Sequence, residues 1–324
     1  MGFGTGDPTS LMQELLRVTG GSAVIDGGLA TELEANGANL NDPLWSARCL
    51  IDSPHLIRKV HLDYLEAGAN IIISASYQAT IQGFKSRGFS MKKGYPKESC
   101  DVNENKLTSK QQPILVAASI GSYGAYLADG SEYSGDYGKA VTKETLKDFH
   151  RRRVEVLAES GADLIAFETI PNKIEAQAYV ELLEESNLKI PAWFSFNSKD
   201  GVCTVSGDPI TECAAIANSC DKVVAVGINC TPPRFIHGLI LLIRKVTNKP
   251  ILIYPNSGET YDANTKEWVP TTGVSKEDFV SYIYKWHEAG ASLIGGCCRT
   301  TPKTIGAISK ALSQDHGAPQ TFIA

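Results

Sequence analysis

Long apolar runs are missing from this chain, and none approaches the ~20 residues that a membrane-spanning helix needs. Basic patches are missing as well. A formal net charge of −5 offers nothing that would attract nucleic acid or an anionic membrane. The one dense cationic run, Arg151-Arg152-Arg153, falls in a helical pattern and is expected to be a solvated helix face. The start, Met1-Gly2-Phe3-Gly4-Thr5-Gly6, matches neither a signal peptide nor a myristoylation site, because position 6 is Gly rather than Ser or Thr. A cytoplasmic location is therefore the expectation. Histidine is scarce, at six residues; no pair has metal-ligand spacing, and His61 and His287 lie in helical patterns.

Cysteine, by contrast, is well represented: Cys49, Cys100, Cys203, Cys213, Cys220, Cys230, Cys297 and Cys298. A reducing cytosol disfavours a disulfide framework, so cysteines in special settings are read first as metal ligands or reactive thiols. With 43% hydrophobic residues the chain has enough apolar material for a sizeable core. Its 324 residues suit either one βα barrel or two smaller domains.

Eight short apolar runs without strict alternation decide between these. They are Ala23–Asp26, Asn70–Ser76, Ile114–Ser119, Leu164–Glu168, Ala192–Phe196, Val223–Asn229, Ile251–Tyr254 and Ser292–Gly296. Strands buried on both faces read this way, as parallel strands do. Amphipathic helical patterns separate most of them. The clearest opens at Ser53-Pro54, repeats Leu56, Val60 and Tyr64, and stops at Gly68. One phrase also recurs: Glu66-Ala67-Gly68-Ala69, Glu159-Ser160-Gly161-Ala162 and Glu288-Ala289-Gly290-Ala291 each read as a helix end with a glycine cap running into a strand. Seven residues beyond each glycine stand Ala75, Glu168 and Cys297, at the strand end where barrels carry their active sites. The expected fold is a single (β/α)8 TIM-type barrel. From Met91 to Gln112 no apolar stripe appears, and a polar insert is expected in place of a covering helix.

Cys230 ends the sixth run, and Cys297 and Cys298 end the eighth. Strands of equal parity share layers of inward residues, so three thiolates can converge over the barrel mouth. Three sulfurs with a fourth position open suit a catalytic zinc ion. Adjacent residues on a strand face opposite ways, so Cys297 and Cys298 need a turn, which the preceding Gly295-Gly296 would permit. Buried core cysteines and a vicinal redox pair are the rival readings, the latter weakened because adjacent cysteines form strained disulfides. Asp26 and Glu168 each follow an apolar strand and need a partner, either the ammonium of an amino acid or a cap or rim salt bridge.

The runs Asp26-Gly27-Gly28, Asp42-Pro43-Leu44-Trp45-Ser46, Phe167-Glu168-Thr169, Gly227-Ile228-Asn229-Cys230 and Gly295-Gly296-Cys297-Cys298-Arg299-Thr300 together resemble the homocysteine S-methyltransferases. The runs Gly121–Ala125, Asp129–Tyr133 and Tyr254–Glu259 are similar to the plant and bacterial branch that uses S-methylmethionine. The likeness spans about Gly20 to Ser313 and departs at Met91–Gln112, where the family has a longer, helix-forming stretch.

The resemblance implies one Zn2+ per chain on Cys230, Cys297 and Cys298. It implies L-homocysteine held by Asp26, Gly27 and Glu168, with Asn229 beside the metal ligand, and a methyl group passing from S-methylmethionine, or S-adenosylmethionine, to the homocysteine thiolate. A sulfonium donor calls for aromatic faces or a carboxylate, for which Trp45, Tyr77 and Glu132 are the candidates, under a loop Tyr123–Tyr137 long enough to close. The domain expected is one homocysteine-binding barrel over 1–324, with an N-terminal extension at 1–19, the polar insert at 91–112 and a tail at 314–324. Its partners are small molecules, with a monomer plausible. A betaine-type enzyme and an inactive zinc- or metabolite-binding barrel are the alternatives.

Overall fold

The computed structural model describes residues 8–89, 113–262, 267–269, 274 and 276–315. Its eight parallel strands are β1 (Ala23–Val24), β2 (Ile71–Ile73), β3 (Leu115–Gly121), β4 (Leu164–Ile170), β5 (Ala192–Phe196), β6 (Val223–Asn229), β7 (Ile251–Tyr254) and β8 (Ala291–Ile294). Every one of the eight apolar runs contributes a strand. Neighbours pair in the order β1-β8-β7-β6-β5-β4-β3-β2. The last seam, β1 to β2, closes through a parallel bridge between Ile25 and Ile71, where the Asn70 amide donates to Val24 O at 2.7 Å and the Asp26 amide to Ile71 O at 3.0 Å. The result is the expected βα barrel.

Alternation along each strand sorts side chains into two cores. Ala117, Leu164, Ala166, Trp193, Leu252 and Leu293 fill the interior. Ala118, Ile165, Phe167, Phe194, Ile253 and Ile294 face the covering helices. Following Leu164 and Ala166 by two, Glu168 falls on the inner face at the carboxyl end of β4.

The repeated phrase is a set of helix stops. Helices Pro54–Glu66, Lys143–Ala158 and Lys276–Glu288 end beside Gly68, Gly161 and Gly290, whose φ angles are 104°, 89° and 106°. Only glycine adopts such angles without strain. Each then leads into a strand, as the spacing predicts.

One expectation needs correction, and one segment gains a structural role. The segment taken as an N-terminal extension contains a helix, Pro8–Val18, whose Met12 and Leu15 are 1% and 0% exposed and join the interior cluster. Its apolar stripe plugs the barrel, which a short helix ahead of the first strand gave no local reason to expect. The Arg151–Arg153 run is not a uniformly solvated face. Arg151 and Arg152 meet Glu185 and Glu155 at the surface, but Arg153 is buried and donates to Gly121 O at 2.9 Å, Ser76 O at 2.8 Å and Tyr77 O. These carbonyls lie at the end of β3 and in the chain after β2. Ser76 O and Tyr77 O also accept from the Ala79 and Gly121 amides at 3.0 and 3.2 Å, and Gly121 O from the Tyr179 hydroxyl at 3.4 Å, and the guanidinium fills their remaining acceptor capacity. The insert at 91–112 lies outside the described residues, as does the tail beyond Asp315, where helix Pro302–Asp315 ends.

Candidate metal centre

Three cysteines meet at the carboxyl ends of β6 and β8. Cys230 follows β6 with a φ of 47°, a left-handed conformation that breaks the strand's alternation, while its amide still donates to Tyr254 O at 3.1 Å. After β8 the chain stays paired, through Gly295 N to Ile253 O at 2.9 Å and Cys297 N to Pro255 O at 2.8 Å. The turn that lets both Cys297 and Cys298 face one point comes after the pair: Thr300 N returns to Cys297 O at 3.1 Å, and Arg299 has a φ of 64°. Gly295 and Gly296 therefore serve close approach rather than the turn. A Cβ on Gly295 would stand 2.6 Å from Ile25 Cβ, and one on Gly296 would stand 2.2 Å from Thr300 Oγ1.

The three Sγ atoms lie within 4.8 Å of one another, the one group of its kind among the described residues. Cys230 to Cys298 is 3.7 Å and Cys297 to Cys298 is 3.9 Å. Metal–sulfur bonds of about 2.3 Å at tetrahedral angles require sulfur edges of about 3.8 Å, so this spacing fits a metal ion with its fourth direction open. The Cys297 and Cys298 thiols donate toward Cys230 and hold it well below the usual thiol range, and that thiolate in turn pushes Cys297 and Cys298 well above it. Three thiolates this close cannot coexist without a cation among them.

Beside the sulfurs stand two buried acids. Glu168 accepts from Ser119 Oγ, and burial pushes its carboxyl up to about 7. Asp26 accepts from the Ile73 amide at 2.9 Å through Oδ2, while Oδ1 is buried with no partner. Burial raises its pKa well above the carboxylate range, and the Glu168 charge adds to the shift. A buried carboxylate oxygen without a donor needs a cationic or protic ligand.

The loop after β3 covers the opposite side. Glu132 has a buried Oε2 without a partner, and burial raises its carboxyl to about 7. Tyr133, though 49% exposed, places its hydroxyl 3.8 Å from Cys230 Sγ. Trp45 and Tyr77 meet edge to face at 6.3 Å, and Tyr77 lies within electrostatic reach of Glu132, Cys230 and Glu168. Tyr77 and Glu132 thus lie within electrostatic reach of Cys230, and Trp45 packs against Tyr77.

Asn229 is placed differently from a direct ligand. Its amide is spent on Thr169, accepting from the backbone N at 2.8 Å and donating to Oγ1 at 2.8 Å, which fixes the left-handed Thr169 after Glu168. Gly27 has space for no side chain, since a Cβ would stand 2.7 Å from the Tyr64 ring. Tyr64 in turn ties Gly28 O and Thr300 O, each at 3.1 Å, and so joins the Asp26 loop to the cysteine turn. Sequence reasoning missed Tyr64, Ser119 and Tyr133. Tyr64 was visible only as part of an apolar stripe and Ser119 only as the end of a strand. Tyr133 adjoined Glu132 in a noted run, and its aromatic hydroxyl was the signal available.

The chain as a whole is similar to known proteins. Residues 23–312 match the family model of homocysteine S-methyltransferase. The chain is 67% identical to homocysteine S-methyltransferase 3 of Zea mays over 97% of each chain. It is 68% identical to a selenocysteine Se-methyltransferase of Brassica oleracea var. italica, covering 93% of this chain and 92% of that one. The metallated form of the homocysteine methyltransferase MmuM from Escherichia coli superimposes with a TM-score of 0.78 at 40% identity, covering 94% of this chain and 99% of that one. The chain belongs to the homocysteine S-methyltransferase family and is a methyltransferase.

Proposed function

We propose that the protein transfers a methyl group from S-methylmethionine to the sulfur of L-homocysteine, with zinc on Cys230, Cys297 and Cys298. The observation that carries the reading is the cluster of three sulfurs within 4.8 Å, two of its edges at 3.7 and 3.9 Å, beside a buried acid with an unpartnered oxygen. Zinc bound there would supply the positive charge that deprotonates a substrate thiol at neutral pH.

The chain's own residues do the rest. Asp26 Oδ1 and Glu168 take the homocysteine ammonium, whose charge favours their ionised forms, and the backbone at Gly27 and Cys298 borders its carboxylate. Asn229 acts at one remove, holding Thr169 and hence the end of β4. The thiolate attacks the methyl carbon, the carbon–sulfonium bond breaks, and its electron pair stays on the donor sulfur as a neutral thioether. No proton moves at the methyl group. Trp45, Tyr77 and Glu132 face the donor cation, which a carboxylate and ring faces recognise without a covalent step. The site occupies one barrel domain, and its thiols suit a reducing compartment such as the cytoplasm.

Metal analysis of purified protein, with X-ray absorption at the zinc edge, tests the reading. About one zinc per chain is expected, with three sulfur neighbours rising to four when homocysteine is added. Methionine formation with S-methylmethionine, S-adenosylmethionine and betaine then ranks the donors, and selenocysteine is compared as acceptor. Zinc-free protein, no turnover, or a preference for betaine would each overturn it.

A further inference from the structure

We propose that the Glu175 carboxylate is a clasp that fixes the loop Tyr123–Tyr137 over the cysteine cluster, making Glu175 a positioning residue for methyl transfer. It lies far from the sulfurs in sequence, three residues into helix Lys173–Glu185, with no exposed surface. Its two oxygens take opposite ends of the loop. Oε1 accepts from the Tyr123 backbone N at 2.6 Å, and Oε2 accepts from the Tyr137 hydroxyl at 2.6 Å. Two further donors complete the shell at Oε1: His150 Nε2 at 2.9 Å and the Tyr179 hydroxyl at 3.2 Å. Burial lowers the His150 pKa, so the ring is neutral and serves as an N–H donor. Tyr137 supplies the donor at Oε2 and Tyr123 one of the three at Oε1, so neither loop end leaves without stripping the buried carboxylate of a donor.

Two neighbours secure the middle of the loop. Asn172, the cap of the same helix, accepts from the Glu175 amide at 2.8 Å and donates to Gly135 O at 3.1 Å. Asn197 donates to Glu132 O at 2.8 Å. Gly135 has a φ of 69° and room for no Cβ, which would stand 2.6 Å from Ser206 Cβ. The loop is therefore a fixed wall rather than a lid, and the residues it presents to the mouth are Glu132 and Tyr133, the latter 3.8 Å from Cys230 Sγ.

This inference rests on the proposed reading of Glu132 as facing the donor, and the variants separate the two. Tyr137→Phe removes one arm of the clasp at a partly exposed position, and Glu175→Gln disturbs both. In zinc-loaded protein, amide exchange across 123–137 is expected to rise, and the KM for S-methylmethionine to rise about tenfold, the scale of one lost hydrogen bond to a charged group. Zinc content and homocysteine KM should change less than about twofold. A purely structural role would lower thermal stability with neither faster loop exchange nor a split between the two KM values, and that result in Tyr137→Phe overturns the clasp, as does unchanged loop exchange. If Glu175→Gln fails to fold, Tyr137→Phe alone decides. Glu132→Gln with an unchanged donor KM, alongside faster loop exchange in Tyr137→Phe, would remove the donor reading and leave the clasp standing.

Discussion

Glu168 should weaken the substrate-free fold in the pH range where the enzyme uses it. Burial moves this carboxyl from 4.5 to about 7, so ionising it inside the barrel costs about 3 kcal/mol. Because the folded pKa is raised, the stability held by the protonated acid is complete below about 4.5 and is lost as pH rises through about 7. Glu168→Gln keeps an oxygen for Ser119 Oγ to donate to and removes the ionisation. At pH 9 the variant should be more stable than the parent by up to ~3 kcal/mol, or about 5 °C in Tm, and at pH 4 the difference should vanish. Homocysteine KM should move the other way, rising at least about tenfold as a charge-assisted bond to the ammonium is lost. Thermal unfolding of metal-free, substrate-free protein between pH 4 and pH 9, with KM of the metal-loaded protein measured beside it, gives both numbers. A variant destabilised equally at both pH values would refute the account of Glu168 as a strained buried acid, and an unchanged homocysteine KM would remove it from the substrate site.

Other substitutions probe different links. Cys298→Ser should abolish metal retention and turnover with an unchanged circular dichroism spectrum; full activity would rule out the three-sulfur centre. Gly28→Ala places a Cβ 2.7 Å from Cys297 O, an atom that cannot yield, and should weaken metal affinity at least about tenfold in a chelator competition while leaving the helices intact. Arg153→Met takes one donor from each of the carbonyls at Gly121, Ser76 and Tyr77, which keep their other partners, and should cost about 2 kcal/mol in denaturant unfolding; a loss under about 0.5 kcal/mol would mean those partners suffice.

The barrel was legible because its signals are local. Strands buried on both faces must be apolar throughout, and Gly68, Gly161 and Gly290 mark helix stops that only glycine makes without strain. The cysteines were legible through position: a thiol at a strand's carboxyl end stands at the barrel mouth whatever surrounds it. Arg153 was not, since its burial depends on carbonyls with acceptor capacity to spare more than thirty residues away on two other segments. Nor was the turn at Cys297–Thr300, because nothing in the string Gly-Gly-Cys-Cys-Arg-Thr says whether the glycines turn the chain or admit a neighbour. Glu175 reads as an ordinary helix residue until Tyr123 and Tyr137 fold onto it.

The site's charges explain why its parts had to be read together. Asp26, Glu168 and Glu132 stand beside the sulfur cluster, and burial raises the pKa of each of the three carboxyls. Two of those acids hold an oxygen with no donor. Such a pocket is destabilised when empty and relieved by cations, and the proposed reaction brings three: a metal ion at the sulfurs, an ammonium at Asp26 and Glu168, and a sulfonium facing Glu132. Methyl transfer removes only the last of these charges. Glu132, with its carboxyl raised to about 7, then loses its counter-charge and favours a proton over the neutral thioether left beside it. The same burial that draws the donor in therefore weakens the hold on the demethylated donor, while the charges holding the amino-acid end of homocysteine are unchanged by the chemistry.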